Sequence, residues 1–138
     1  MDLGDIPLFS MLRDRMGYLS ERQRVISENV ANADSPGYRP GDLKPFSFQA
    51  QLQTQTAAGV QAVTQPGHMQ APGHQGGARG GLKAIKTKDS ETTLDGNSVV
   101  LEEEMMKMTD ARMNYEAAVS FYQQSLALLR TAIRKPGG

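Results

Sequence analysis

Two stretches, one towards each end of the chain, repeat their apolar residues at alternating steps of three and four. The first runs from Phe9 through Leu12, Met16, Leu19, Gln23, Ile26 and Val30 to Ala33, apolar everywhere but at Gln23. The second runs through Leu101, Met105, Met108, Arg112, Tyr115, Val119, Tyr122, Leu126, Leu129 and Ile133, with Arg112 its one polar member. This is the heptad seam of a helix that buries a narrow stripe against another helix. A chain with a seam at each end and little apolar material between is constrained to pair its ends. The expected fold is mainly α. Its N- and C-terminal helices pair as an antiparallel coiled-coil hairpin, around an irregular Gly/Gln-rich middle with short β-strands at its edges.

Local signals set the limits of the two helices. The first is expected over 7–33, with Asp5 able to cap it and Pro7 in the first turn, where a missing N–H costs little. Ser35-Pro36-Gly37-Tyr38 ends it, because Pro36 disfavours helix at Ser35 and Pro-Gly suits a type II turn. The second is expected over 98–135, after a turn and cap at Asp95-Gly96-Asn97-Ser98. Glu102, Glu103 and Glu104 match the positive end of its dipole and read as a solvated face. At 1.5 Å per residue the helices are roughly 40 and 57 Å long, so the second outruns the first. Beside its seam, Ala111, Ala118, Ser125 and Ala132 recur every seven residues. Such a small-residue strip lets another helix approach closely, so the second helix is expected to touch two neighbours at once.

The middle has a different character. From Gln49 to Gly81, 23 of 33 residues are Gln, Gly, Ala or Pro. Its four large apolar residues cannot offset the ordering entropy of that length, at roughly 1–2 kcal/mol per residue. Alone it is expected to be a flexible or poorly packed excursion. Phe46-Ser47-Phe48 and Leu82-Lys83-Ala84-Ile85-Lys86 alternate as short strands do. The boundaries drawn are 1–38, 39–94 and 95–138, with the first and last forming one domain.

Chemistry is hard to find. No Cys is present, which excludes disulfides, thiolate metal sites and thiol nucleophiles. His68 and His74 have no acid between Leu43 and Lys88 to complete a metal site, and read as loop histidines. No nucleophile elbow or phosphate-loop motif occurs. Lys and Arg total 15 and so do Asp and Glu, so the basic footprint of a nucleic-acid binder is missing. The reading is of no enzyme, no cofactor, no metal and no small-molecule substrate. No apolar run is long enough to span a bilayer. Asp2 and Asp5 stand where a cleaved secretory signal carries positive charge. The expected location is cytoplasmic, or outside by a route that needs no such signal.

The segment closing the first helix is more specific: Asn29, Ala31, Asn32, Ser35, Pro36, Gly37 and Tyr38. Two Asn in a last helical turn suit side-chain amides that fix the turn or a neighbour's backbone. The run from Asn29 to Tyr38 resembles the Asn-x-x-Asn-x-x-Thr-Pro-Gly-Tyr/Phe signature of bacterial flagellar rod and hook proteins, the axial proteins of the basal body, with Ser35 for the usual Thr. Leu12-x-x-Arg15-x-x-x-Leu19, Thr64 to Met69, Gly96 to Val99 and Glu102 to Met106 look most like its proximal-rod members. The resemblance implies a terminal-helix hairpin in the inner tube of a helical assembly, no catalysis, and type III export through an uncleaved N-terminal signal. It implies a place in the periplasmic rod, joining the membrane ring and export gate to the distal rod. Implied partners are further copies of the chain, other rod proteins, the rod-base adaptor, the ring and the gate. The rival reading is a soluble coiled-coil binding module or export chaperone.

Overall fold

The computed structural model describes residues 6–47, 49 and 82–134. The expectations for Asp5, His68, His74 and most of the middle lie outside them. Helix α1 spans Pro7–Ala31, strand β1 Gly41–Leu43, strand β2 Ala84–Lys86 and helix α2 Leu101–Ile133. The helices contain 25 and 33 residues, about 37 and 50 Å of rod. Along α1, Phe9 meets the Tyr122 ring edge-on at 5.3 Å, Arg22 meets Asp110 at 3.5 Å, and Asn29 meets Glu104 at 2.9 Å. Partner numbers fall as α1 numbers rise, so the helices are antiparallel. The chain is mainly α, with its N- and C-terminal helices packed on each other and a two-stranded antiparallel sheet beside them.

Pro7 opens α1 directly after the extended Ile6, and no side chain caps that end. The start of α2 is likewise uncapped by its own side chains, but the Val100 N–H finds the Asp89 carboxylate at 2.9 Å. Ser98 therefore does not act as the cap, and α2 begins three residues later than the turn signal indicates.

The apolar core is Tyr18, Leu19, Val25 and Leu43, with Phe46, Leu82 and Tyr115 packed on its edge. Of the α1 seam, Phe9, Leu12, Leu19 and Ile26 are buried, Met16 is half-buried and Val30 is exposed. Val30 falls on the last turn, where the chain swings away into the Ser35–Tyr38 turn. Met11, Tyr18 and Val25 form a second buried line that the heptad does not mark. Tyr18 and Val25 are buried because β1 and Phe46 cover that side of α1. The approach is close: a Cβ on Gly41 would meet Val25 Cγ1 at 3.4 Å.

On α2 the expected roles of seam and strip change places. The residues buried along it are Glu104, Ala111 and Ala118. Of the seam, Met108, Tyr115, Val119, Tyr122, Leu126 and Leu129 are half-buried, while Leu101, Met105 and Ile133 are exposed. Ser125 is half-buried and Ala132 exposed, where α2 runs past the start of α1. Ala111 and Ala118 thus do not wait for a second neighbour. They carry no bulk to hold α1 away, so α1 settles on them and the larger seam residues flank the contact.

Of the two expected strands, the one at Leu82–Lys86 forms as β2, Ala84–Lys86, and the other does not. Phe46 and Ser47 lie outside any strand, and Phe46 instead meets the Tyr18 ring at a tilt of 49°, with ring centroids 5.5 Å apart. Strand β1 forms at Gly41–Leu43, opposite β2 in the register Gly41–Lys86, Asp42–Ile85 and Leu43–Ala84.

Candidate functional site

Everything the motif residues touch lies at the junction where α1 ends and α2 begins. Asn29, on the last full turn of α1, is 1% exposed. Its Nδ2 donates to the Gly41 carbonyl at 2.8 Å and to Glu104 Oε2 at 2.9 Å. Its Oδ1 accepts from the Gly41 N–H at 2.9 Å and from the Tyr38 hydroxyl at 3.2 Å. Both donors and both lone pairs of the amide are used. Gly41 is held on both backbone groups, so a three-residue strand of poor intrinsic propensity forms there.

Asn32 closes α1. Its Nδ2 donates to the Glu28 carbonyl at 2.9 Å, and its Oδ1 accepts from Ser35 Oγ at 3.2 Å. The Tyr38 N–H donates back to Ser35 O at 3.2 Å, which closes the turn over Pro36 and Gly37. Gly37 sits at φ 70°, the left-handed region where a side chain is strained. Ala31 and Pro36 are exposed and make no part of this network.

The other side of the junction comes from Asn97, which the sequence marked within a turn and cap and within the Gly96–Val99 stretch but not as a bonding residue. Asn97, 2% exposed, donates from Nδ2 to Asn32 O at 3.0 Å and to Ser35 O at 2.6 Å. Its Oδ1 accepts from the Val99 N–H at 2.9 Å. Two more backbone bonds cross the same gap, Gly37 N–H to Asp95 O at 2.9 Å and Ser98 N–H to Tyr38 O at 3.0 Å. Gly96 also has a positive φ, 83°, and a Cβ there would meet Gly37 Cα at 3.4 Å. The two glycines let the two turns lie backbone to backbone.

Beneath the turns is an ionic cluster. Lys107 Nζ donates to Asp89 Oδ1 at 2.7 Å and to Glu104 Oε1 at 2.8 Å, and both carboxylate side chains are inaccessible to solvent. Burial pushes the Glu104 carboxyl above its ordinary value, outweighing the bonds from Asn29 and Lys107. Burial also opposes the Asp89 charge, but the bonds from Lys107 and the Val100 N–H win and hold it below its ordinary value. Lys107 is lowered by desolvation and raised more by its two acidic partners, so it stays charged. Glu104 is the clear departure from the solvated reading of Glu102–Glu104. Glu102 is exposed and Glu103 half-buried, whereas Glu104 is fully buried. One signal was present in the sequence: Glu104 stands seven residues before Ala111 and fourteen before Ala118.

Among the described residues no buried side-chain polar atom lacks a partner, and no group of His, Asp and Glu is placed to hold a metal. A site whose donors and acceptors are all engaged with its own chain is built to hold geometry. What it holds is the angle between two helices and the position of the tight turns at their ends.

No protein-family model matches the chain. Over 129 residues it is 27% identical to a flagellar basal body rod protein FlgB of Cereibacter sphaeroides, covering 88% of this chain and 95% of that one. A FlgB of Agrobacterium fabrum is 26% identical over 136 residues, 94% of this chain and 95% of its own. A FlgB of Buchnera aphidicola is 25% identical over 123 residues, 86% and 88% of the two chains. Similarity that extends over nearly the whole length, to proteins of one name from separate bacteria, makes this chain a relative of the flagellar basal body rod protein FlgB.

Proposed function

We propose that the chain is a structural subunit of the flagellar basal-body proximal rod, and that it polymerises through its terminal helices. One observation carries this reading. Helix α2 exposes Met106, Met113, Phe121 and Leu128, each at least half accessible. At 3.6 residues per turn these four fall within one arc, about 120° around the helix from the line buried under α1. An apolar stripe of that length on a helix already packed on its other side is a face for a further helix. Residues 1–38 and 95–138 act as the single assembly domain, and the junction fixes the angle at which it presents the stripe. The subunit links the membrane ring and export gate, by way of the rod-base adaptor, to other rod proteins further out. It reaches the periplasmic rod by type III export with its N-terminus uncleaved, and no reaction is assigned to it. Similarity to rod proteins along most of the chain supports this reading over a soluble chaperone.

The test is a Phe121→Asp/Leu128→Asp variant in a strain lacking the native gene, beside Glu116→Gln as control. Both positions of the first variant lie on the exposed stripe, so the hairpin folds while rods fail to build and swimming is lost. The control swims normally. Swimming by the double variant, or a stable soluble oligomer retained in the cytoplasm, overturns the reading.

A further inference from the structure

The turn at Thr93–Gly96 is fixed by more bonds than a surface loop needs. The Gly96 N–H donates to Thr93 O at 2.9 Å, and the Thr93 N–H donates to Asn97 O at 2.8 Å. The single Thr93 hydroxyl hydrogen is shared between the Asp95 carboxylate and the Asn97 carbonyl, and that carboxylate also accepts from the Asn97 N–H at 3.1 Å. Through Asp95 O the whole turn is anchored on Gly37. What this rigid turn presents at its tip is Leu94, wholly exposed, between the exposed acids Glu91 and Asp95.

A matching hollow lies elsewhere on the same chain. Between α1, β1 and α2 an open groove of about 300 Å³ has Tyr18, Leu19, Leu43, Pro45 and Phe46 on its apolar side and Arg15 on its wall. Its other guanidinium, Arg22, is paired with Asp42 at 3.1 Å and Asp110 at 3.5 Å, two acids to one base. Arg15 on the wall balances the remaining acid, and exposed Lys44, between Leu43 and Pro45 of the lining, tips the mouth to a single positive charge. The turn rests on the end of α1, whereas the groove lies against residues 15–22, at least about 15 Å back along the helix axis. One copy therefore cannot fill its own groove.

We propose that the Leu94 turn of one copy docks in the Tyr18–Phe46 groove of a second copy, with Glu91 and Asp95 against Arg15 and Lys44. An acid–leucine–acid edge meets a base–apolar–base hollow, so charge sets the register and the leucine supplies the buried area. The two patches differ, so the contact is head-to-tail and passes from copy to copy. It lies apart from the α2 stripe and rests on the rod-subunit reading above.

The chain has no Cys, so introduced pairs report contacts cleanly. Leu94→Cys and Pro45→Cys in one chain, oxidised in swimming cells, give a ladder of cross-linked copies, and neither substitution alone does. Arg15→Glu with Lys44→Glu abolishes the ladder, and adding Glu91→Lys, which leaves the Asp95 bonds of the turn intact, restores part of it. Absence of a ladder in cells that swim, where the Phe121→Asp/Leu128→Asp variant does not, overturns the docking and leaves the rod reading standing. A ladder that survives charge reversal, or a Leu94→Cys adduct with a different protein, also overturns it. If the stripe variant swims too, the rod reading falls and takes this contact with it.

Discussion

Asn29 is the residue on which the junction depends, because one side chain satisfies two backbone groups, a hydroxyl and a buried carboxylate. Asn29→Asp keeps the shape but replaces the donor facing Glu104 with a second carboxylate oxygen. Breaking a buried charge arrangement in this way costs about 3–5 kcal/mol at neutral pH. The sign of its pH dependence follows from linkage. In the native chain Glu104 is raised above 4.5 in the fold, so the folded state binds a proton first and stability rises as pH falls towards that value. Asp89 is held below 3.8, so stability is lost again as pH falls below that value. In Asn29→Asp two facing carboxylates share one proton, so the acid-side gain is larger and the deficit against wild type shrinks between pH 7 and pH 5. Urea unfolding at the two pH values measures it. A deficit that does not change with pH removes the carboxylate pair from the explanation. Residue identity made part of this site legible. Two asparagines at a helix end announce amide bonds to backbone, but they do not say which backbone. Asn97 meets Asn32 and Ser35 across more than 60 residues of chain, and no local signal carries such a pairing.

At the scale of the elements, heptad spacing located both helices to within a few residues, because burial of one face imposes that period whatever the partner. It did not say which face of α2 meets α1. A seam of Met, Tyr and Leu outranks alanine in hydrophobicity, but alanine permits the closer approach, and α1 lies on Glu104, Ala111 and Ala118. Strand β1 was illegible for a related reason. Gly-Asp-Leu has little strand preference of its own and is extended because Asn29 grips Gly41. The burial of Ala118 gives a direct test. Ala118→Leu keeps helix propensity high but forces a larger side chain under α1, at about 1–3 kcal/mol. The isolated chain should melt several degrees lower, whereas Ala132→Leu, on the exposed overhang, leaves the melting temperature unchanged. Equal melting of the two variants returns the strip to the surface.

Seen as a whole molecule, the hairpin concentrates its polar order at one end and its exposed apolar surface along one helix. The junction bonds join residues 60 to 75 positions apart. The Phe9–Tyr122 contact at the far end joins residues much further apart in sequence. Loop-closure entropy grows only slowly with length, about 0.6 kcal/mol per doubling. Once Asn29 and Asn97 have engaged, however, each further helical turn closes over a short gap. The hairpin then zips from the junction towards the chain ends, and opens in the reverse order. Amide hydrogen exchange should be slowest at Gly41, Ser98 and Glu104, and fastest in the first turn of α1 and beyond Leu126. Uniform exchange along α2 contradicts the zipper. The consequence concerns how the hairpin yields to a pull along the chain. The start of α1 and the end of α2 lie at the end that opens first, so a pull applied ahead of Pro7 peels α1 away turn by turn, without having to break the polar junction at the outset.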